Sequence, residues 1–197
     1  MPRFGVINER RHQLHEVIRL SGMNLIIDDT DHPLIIKVAS ISAARMQVYF
    51  IDNDEYFKRK STVVDEKEKE HKDNDERSMF FCRGVLETVK KLGWQPDIIY
   101  CNGWMTALMP MYLKNIKFDG FNDDVLKELK EANFESITKS AVKYSDGLCV
   151  GSEELTPELK AIFDDATCDK LEYVAEEHQV KEISEFLDKV IGTEVLI

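Results

Sequence analysis

Short apolar runs broken by turn residues fill the first fifty positions. Met23–Ile27, Leu34–Ile41 and Met46–Ile51 are β-rich, and Ser21-Gly22 and Asp28–Pro33 punctuate them. This pattern predicts a meander of short strands. Leu14–Leu20 alternates only in part, whereas Met46–Ile51 is almost wholly apolar, as a strand covered on both faces requires. The period then changes. Met79, Cys82, Val85, Leu86 and Val89 recur at three- and four-residue spacing, so a helix is expected from about Asp75 to Leu92, closed by Gly93. The mixed-sign run Asp65–Asp73 before it has little to bury and reads as a mobile surface loop.

Further along, Pro96-Asp97 opens an expected strand, Ile98–Cys101, and Asn102-Gly103 turns the chain into a helix from Trp104 to about Ile116. Pro110 lies inside that helix and must kink it or displace its start. Helices are expected at Asp123–Glu131, Phe134–Tyr144 and near Thr156–Phe163, with a strand at Gly147–Val150. Val180, Ile183, Phe186, Leu187, Val190 and Ile191 make a last helical stripe. Strands alternating with helices imply a layered α/β fold with a parallel sheet.

Length and composition set bounds on this picture. At 197 residues, 43% hydrophobic and 32% charged, the chain has room for one ordinary domain and a short appendage. No apolar run approaches the ~20 residues that span a bilayer. The first residues carry no secretory pattern, so a cytoplasmic location is expected, with no membrane partner. The formal charge of −11 disfavours nucleic acid as a partner. Cys82, Cys101, Cys149 and Cys168 form no C-x-x-C pair and read as reduced small hydrophobes.

Candidate chemistry is sparse. Asp52-Asn53-Asp54 after an apolar strand could hold a divalent cation, although such triplets are common in turns, and no metal site is expected. His12 and His15 would point to opposite faces of an extended segment. His32, His71 and His178 fall in turn-like or solvated stretches. No G-x-S-x-G, P-loop or G-x-G-x-x-G occurs. Asn102, Gly103 and Trp104 differ, because they follow an expected strand where open α/β sheets place their ligands. Trp104 could stack on a sugar ring or pack under the sheet edge, and packing is the commoner use.

Several segments, in order, resemble one family. Asp73-Asn74-Asp75-Glu76-Arg77 and the helix after it are similar to the D-N-x-E-R-F-x-x-F-x-x-A-x-L-E helix of glycogen and starch synthases. Pro96–Leu113 resembles that family's P-D-I-I-H-A-H-D-W-H-T-A-L-x-P-x-Y-L. Pro2-Arg3-Phe4-Gly5 resembles its P-R-Y-G, and Val48–Arg59 its V-Y-F-I-D-x-x-x-Y-F-x-R. Ser145–Ser152 resembles the strand before its V-S-P-x-Y. The resemblance implies the N-terminal half of a GT-B glycosyltransferase. This would be a three-layer Rossmann-like parallel sheet with an added β-meander, spanning 1–163, followed by a helical C-terminal tail, 164–197.

It also implies glucosyl transfer from ADP-glucose to an α-1,4-glucan in glycogen biosynthesis, with this half on the acceptor side and no further cofactor. Asp73, Asn74, Arg77, Asn102 and Trp104 stand at the implied substrate-binding positions. Four departures count against activity. The family's H-D-W is here Asn102-Gly103-Trp104, leaving neither imidazole nor carboxylate, so no catalytic residue is assigned. The family's glycine-rich segment before P-R-Y-G and a strand after Ile116 are missing. So is the nucleotide-binding half. The expected chain is therefore inactive alone, with an α-glucan as ligand and self-association or a partner at the 180–191 helix. A non-catalytic regulatory module is the alternative, and a small D-x-D metal enzyme a third reading.

Overall fold

The structure is a computed structural model, and it describes residues 1–115, 133–150, 161, 171–173, 181, 183–185 and 187. The chain divides into two compact units, one of Met1–Gln95 with Gly103–Thr106, the other of Pro96–Asn102 with Ala107–Ile197.

The first unit is an antiparallel sheet with a helix on it. Strands β1 (His15–Glu16), β2 (Met23–Ile27), β3 (Thr30–Ile41) and β4 (Met46–Asp52) appear in order, and the expected meander is present as the hairpins β2–β3 and β3–β4. Along β3 every second residue from His32 to Val38 is buried, the period-two signature of a sheet with one face on a core. Leu25 and Ile27 of β2 and Ile51 of β4 are buried with them.

The first hairpin is tighter than the sequence suggests. Only Asp28 and Asp29 form its loop, at φ of 47° and 58°, between paired Ile27 and Thr30. Two left-handed residues make the turn that matches strand twist, and aspartate tolerates that conformation. Pro33 lies inside β3, where β2 pairs with it but β4 has not yet begun, so its missing N–H breaks no ladder on that side.

Helix α1 (Asp54–Phe57) is one turn, capped by Asn53, whose side-chain oxygen accepts from Tyr56 N. Helix α2 (Asn74–Leu92) is the unit's long element and matches the expected span within one residue. Gly93 closes it at φ 68°, with Gly93 N donating to Lys90 O and Trp94 N to Val89 O. Met79, Phe80 and Cys82 are buried. A side chain at Gly84 would come within 2.8 Å of Ile51 Cγ2 and 3.0 Å of Leu34 Cδ1, so this glycine lets α2 lie close on the β3–β4 face. The charge run is organised rather than loose: Val64 and Glu70 form a bridge, and the Asp65 carboxylate accepts from the backbone of Lys67 and Lys69.

One parallel pairing exists here. Pro2 lies beside Ile51, with Arg3 N donating to Ile51 O at 2.9 Å and Ile51 N to Met1 O at 3.0 Å.

In the second unit, the expected strand Ile98–Cys101 is absent: described residues 96–102 carry no strand. A short apolar run becomes a strand only where a paired edge is offered, and its sequence does not reveal whether one is. The Trp104–Ile116 helix is also divided. A single 3-10 turn, Trp104–Thr106 (in the first unit), precedes α3 (Met109–Asn115), so Pro110 falls in the first turn of α3. The proline displaces the helix start, since its missing N–H is harmless only there. Helix α4 (Phe134–Tyr144) matches its expected bounds and carries an Asn133–Ser136 capping box. Met109, Met111, Tyr112, Ile137 and Val142 form the core of this unit.

Strand β5 (Leu148–Val150) pairs in parallel with β6 (Leu171–Tyr173). The segment after 163 therefore contributes a strand where only helix was expected. Residues 181, 183–185 and 187 are helical, as the last stripe predicts. The expected helix 123–131, the rest of helix 156–163 and His178 lie outside the described residues. Among the described residues, no helix is long and apolar enough to cross a membrane.

Candidate functional site

The segments Tyr56–Arg59 and Asp73–Arg77 interlock, and their geometry decides what the candidate residues can do. Asp73 precedes α2 but does not cap it. Its carboxylate is taken instead by Arg59, whose Nη1 and Nη2 donate to its two oxygens at 2.7 and 2.5 Å. Such a fork-on-fork pair is among the stronger protein hydrogen bonds. Burial pushes the Asp73 carboxyl up, but the Arg59 guanidinium outweighs it and holds the carboxyl below its ordinary value.

Asn74 is buried and fully engaged, donating to Val63 O at 2.9 Å and accepting from Arg77 Nη1 at 2.6 Å. Arg77 has no exposed surface. Its Nε donates to Tyr56 O at 2.8 Å, and its guanidinium lies 5.9 Å from the centres of both the Phe4 and Phe57 rings. Burial, with the nearby Arg59 charge, lowers its pKa to about 10. These bonds tie the 58–73 loop to the start of α2, and of the Arg77 guanidinium only Nη2 is left buried without a hydrogen-bond partner.

Tyr56 carries the same interlock further. Its hydroxyl donates to Glu76 Oε2 at 3.0 Å and lies 3.0 Å from His32 Nε2, while His32 Nδ1 is 3.1 Å from Glu55. Burial, then the Glu76 carboxylate, pushes the Tyr56 phenol well up. His32 is therefore a buried core histidine, not the turn residue expected. Asp31-His32-Pro33 resembles a turn in composition, and only the alternation Leu34, Ile36, Val38 extended backward would have placed His32 on the inner face.

Asp52 and Asp54 are likewise committed. Arg3 donates to both at 2.8 Å, Lys37 lies 2.8 Å from Asp52, and Lys58 donates to Asp54 at 2.7 Å. Three cations already neutralise this pair, which removes the basis of the D-x-D metal reading. Among the described residues no group of three or more His, Cys, Asp and Glu side chains could hold a metal ion.

Trp104 is placed by α2. Ser78 Oγ and Cys82 Sγ both reach Met105 O, at 3.3 and 3.4 Å, and so hold the 103–106 turn against the helix. Gly103 takes φ 79°, and its carbonyl accepts from Thr106 N and Oγ1. Trp104 is half-buried, with its indole Nε1 covered and without a hydrogen-bond partner among the described residues. Asn102, in the other unit, is exposed. The structure thus brings Asp73, Asn74 and Arg77 into one bonded cluster that Trp104 does not join, while Asn102 belongs to the other unit.

The Asp73–Arg59 pair carries a pH dependence. The folded pKa of Asp73 is depressed, so the pair's contribution is complete above the ordinary carboxylate value of 3.8 and is lost as pH falls through the folded value. Asp73→Asn is expected to lower unfolding stability by about 1 kcal/mol at neutral pH, given partial solvent screening, and by progressively less below pH ~4. Urea midpoints of both proteins across that range test it, and equal midpoints at neutral pH would refute the clamp.

Comparison with known proteins bears on the same segments. Residues 1–130 match the family model for the starch synthase catalytic domain. The chain is similar to the glycogen synthase of Chlorobium limicola, with 41% identity over 117 residues, 59% of this chain and 24% of that protein. It is 42% identical to that of Chlorobaculum tepidum over 115 residues, 58% of this chain and 24% of the relative. The matched stretch thus spans about a quarter of these curated relatives, 24% of each. Among solved structures, it is similar to the catalytic domain of starch synthase IV from Arabidopsis thaliana bound to ADP and acarbose. The TM-score is 0.62 at 16% identity, covering 88% of this chain and 43% of that one. That likeness is one of fold.

Proposed function

Since the chain belongs to the starch synthase catalytic-domain family, we propose that it is the acceptor-side half of a GT-B glucosyltransferase of the glycogen and starch synthase type, binding α-glucan and inactive by itself. The observation that carries this reading is the interlock of Tyr56–Arg59 with Asp73–Arg77, because both segments resemble family motifs and fold here as one scaffold beneath the Trp104 turn. Asp73, Asn74 and Arg77 support the site from within, and Asn102 and Trp104 are the candidates to face a ligand.

The three-layer parallel sheet belongs to the same reading, and each unit supports it with one parallel pairing, Pro2 with Ile51 in the first and β5 with β6 in the second. ADP-glucose is the donor implied for the family. It would be held chiefly by a second half, and this chain spans only 24% of its relatives. The cytoplasm is the matching location.

Affinity electrophoresis through gels containing glycogen tests the glucan reading. The wild-type chain is expected to be retarded, and Trp104→Ala to lose most of that retardation, because the apolar C–H face of a sugar ring packs on an aromatic side chain. Unaltered migration of the wild type would favour the second reading, a non-catalytic module that binds a protein partner through its acidic surface or the apolar stripe of the 180–191 segment.

A further inference from the structure

Asn102 is the only asparagine in the chain followed by glycine. Both residues are exposed and lie outside regular secondary structure. The Asn102 carboxamide and the Gly103 N–H have no hydrogen-bond partner among the described residues. Other asparagines are engaged: Asn8, Asn53, Asn74 and Asn133 each accept a hydrogen bond through the side-chain oxygen, and none precedes a glycine. Gly103 has no Cβ to hinder approach of its nitrogen to the neighbouring side chain, and its φ of 79° shows a backbone already outside the range that other residues favour.

From this contrast we infer that Asn102 is a site of spontaneous deamidation in the folded protein. The Gly103 backbone nitrogen gives up its proton to hydroxide and attacks Cγ of Asn102. A nitrogen–carbon bond forms, the Cγ–Nδ2 bond breaks, and the amide nitrogen leaves as ammonia. Water then opens the five-membered imide at one or other carbonyl, giving aspartate or isoaspartate. Either product adds a negative charge to a chain already at −11. Isoaspartate also inserts a methylene into the backbone directly before the turn whose Gly103 carbonyl holds Thr106. The modification converts a neutral turn into an anionic and, in the isoaspartyl form, lengthened one.

The test is incubation of the folded 197-residue chain in neutral and mildly alkaline buffer, followed by tryptic peptide mapping. Isoaspartate is counted by methylation with an isoaspartyl methyltransferase. The peptide running from Leu92 to Lys114 should gain the mass of an amide-to-acid exchange, faster at higher pH, while peptides holding Asn8, Asn53 and Asn74 stay unchanged. Gly103→Ala should slow conversion by roughly tenfold or more, equivalent to about 1.4 kcal/mol in the barrier, and Asn102→Gln should abolish it. Because Gly103→Ala sits at positive φ, a synthetic 92–114 peptide provides the second measurement. Conversion of the peptide with none in the folded chain would show that the fold protects Asn102, and would overturn the inference.

Discussion

Arg77→Ala is expected to destabilise the first unit by about 3–5 kcal/mol, the cost of breaking a buried charged hydrogen-bond cluster from one side. The side chain has no exposed surface, so its removal opens a void beside the Phe4 and Phe57 rings as well. It also strands two acceptors, Tyr56 O and Asn74 Oδ1, which are then buried without their donor. Tyr56 O sits at the end of α1, so the loss is transmitted to the hydroxyl that reaches Glu76 and His32. Arg77→Met should retain more stability than alanine, because it refills the volume without burying a charge, though the stranded acceptors remain. Arg77→Lys should behave poorly: a compact ammonium cannot bridge both partners as a planar guanidinium does. Urea denaturation of the four proteins reads this directly. The alternative, a ligand-binding arginine, makes the opposite prediction of a weakened glucan interaction with an unchanged midpoint.

That distinction was beyond the sequence, and the reason is physical. The D-N-x-E-R stretch marks a place where these residue types are needed, but need for a substrate and need for a scaffold look alike in one dimension. The partner of Asp73 is Arg59, fourteen residues earlier, and a non-local pairing of this kind leaves no periodic trace. The same holds for His32, whose partners Glu55 and Tyr56 come from another element, while its neighbour Pro33 points toward a turn.

Local features fared better. The three- and four-residue spacing placed α2 and its glycine stop, the capping box of α4 agrees with its expected start, and Pro110, expected either to kink its helix or to displace the start, does the latter. Ile98–Cys101 and Leu171–Tyr173 went opposite ways, the first expected as strand and found without one, the second expected as helix and found paired. Runs of three or four residues become strands when an edge is available, and edges are a property of the whole fold.

Incubated with ADP-glucose and glycogen, the 197-residue chain is expected to transfer no glucose above background. Two independent losses combine. Asn102-Gly103 stands where the family resemblance places a histidine and an aspartate, and loss of a positioned proton-transfer group alone costs typically ~10²–10⁴ in rate. Donor recognition would also have to come from residues the matched quarter of the relatives does not supply, and transition-state stabilisation needs groups fixed on both sides of the reacting carbon. Restoring Asn102→His and Gly103→Asp together is therefore expected to leave transfer undetectable, even though aspartate tolerates the positive φ of Gly103 better than most residues. Glycogen retardation, by contrast, should survive, since it depends on the Trp104 turn that Ser78 and Cys82 hold through Met105. Measurable transfer of labelled glucose by the wild-type chain would refute inactivity. Retardation without transfer would separate binding from chemistry at the turn itself, with the aromatic platform kept and the proton-transfer groups gone.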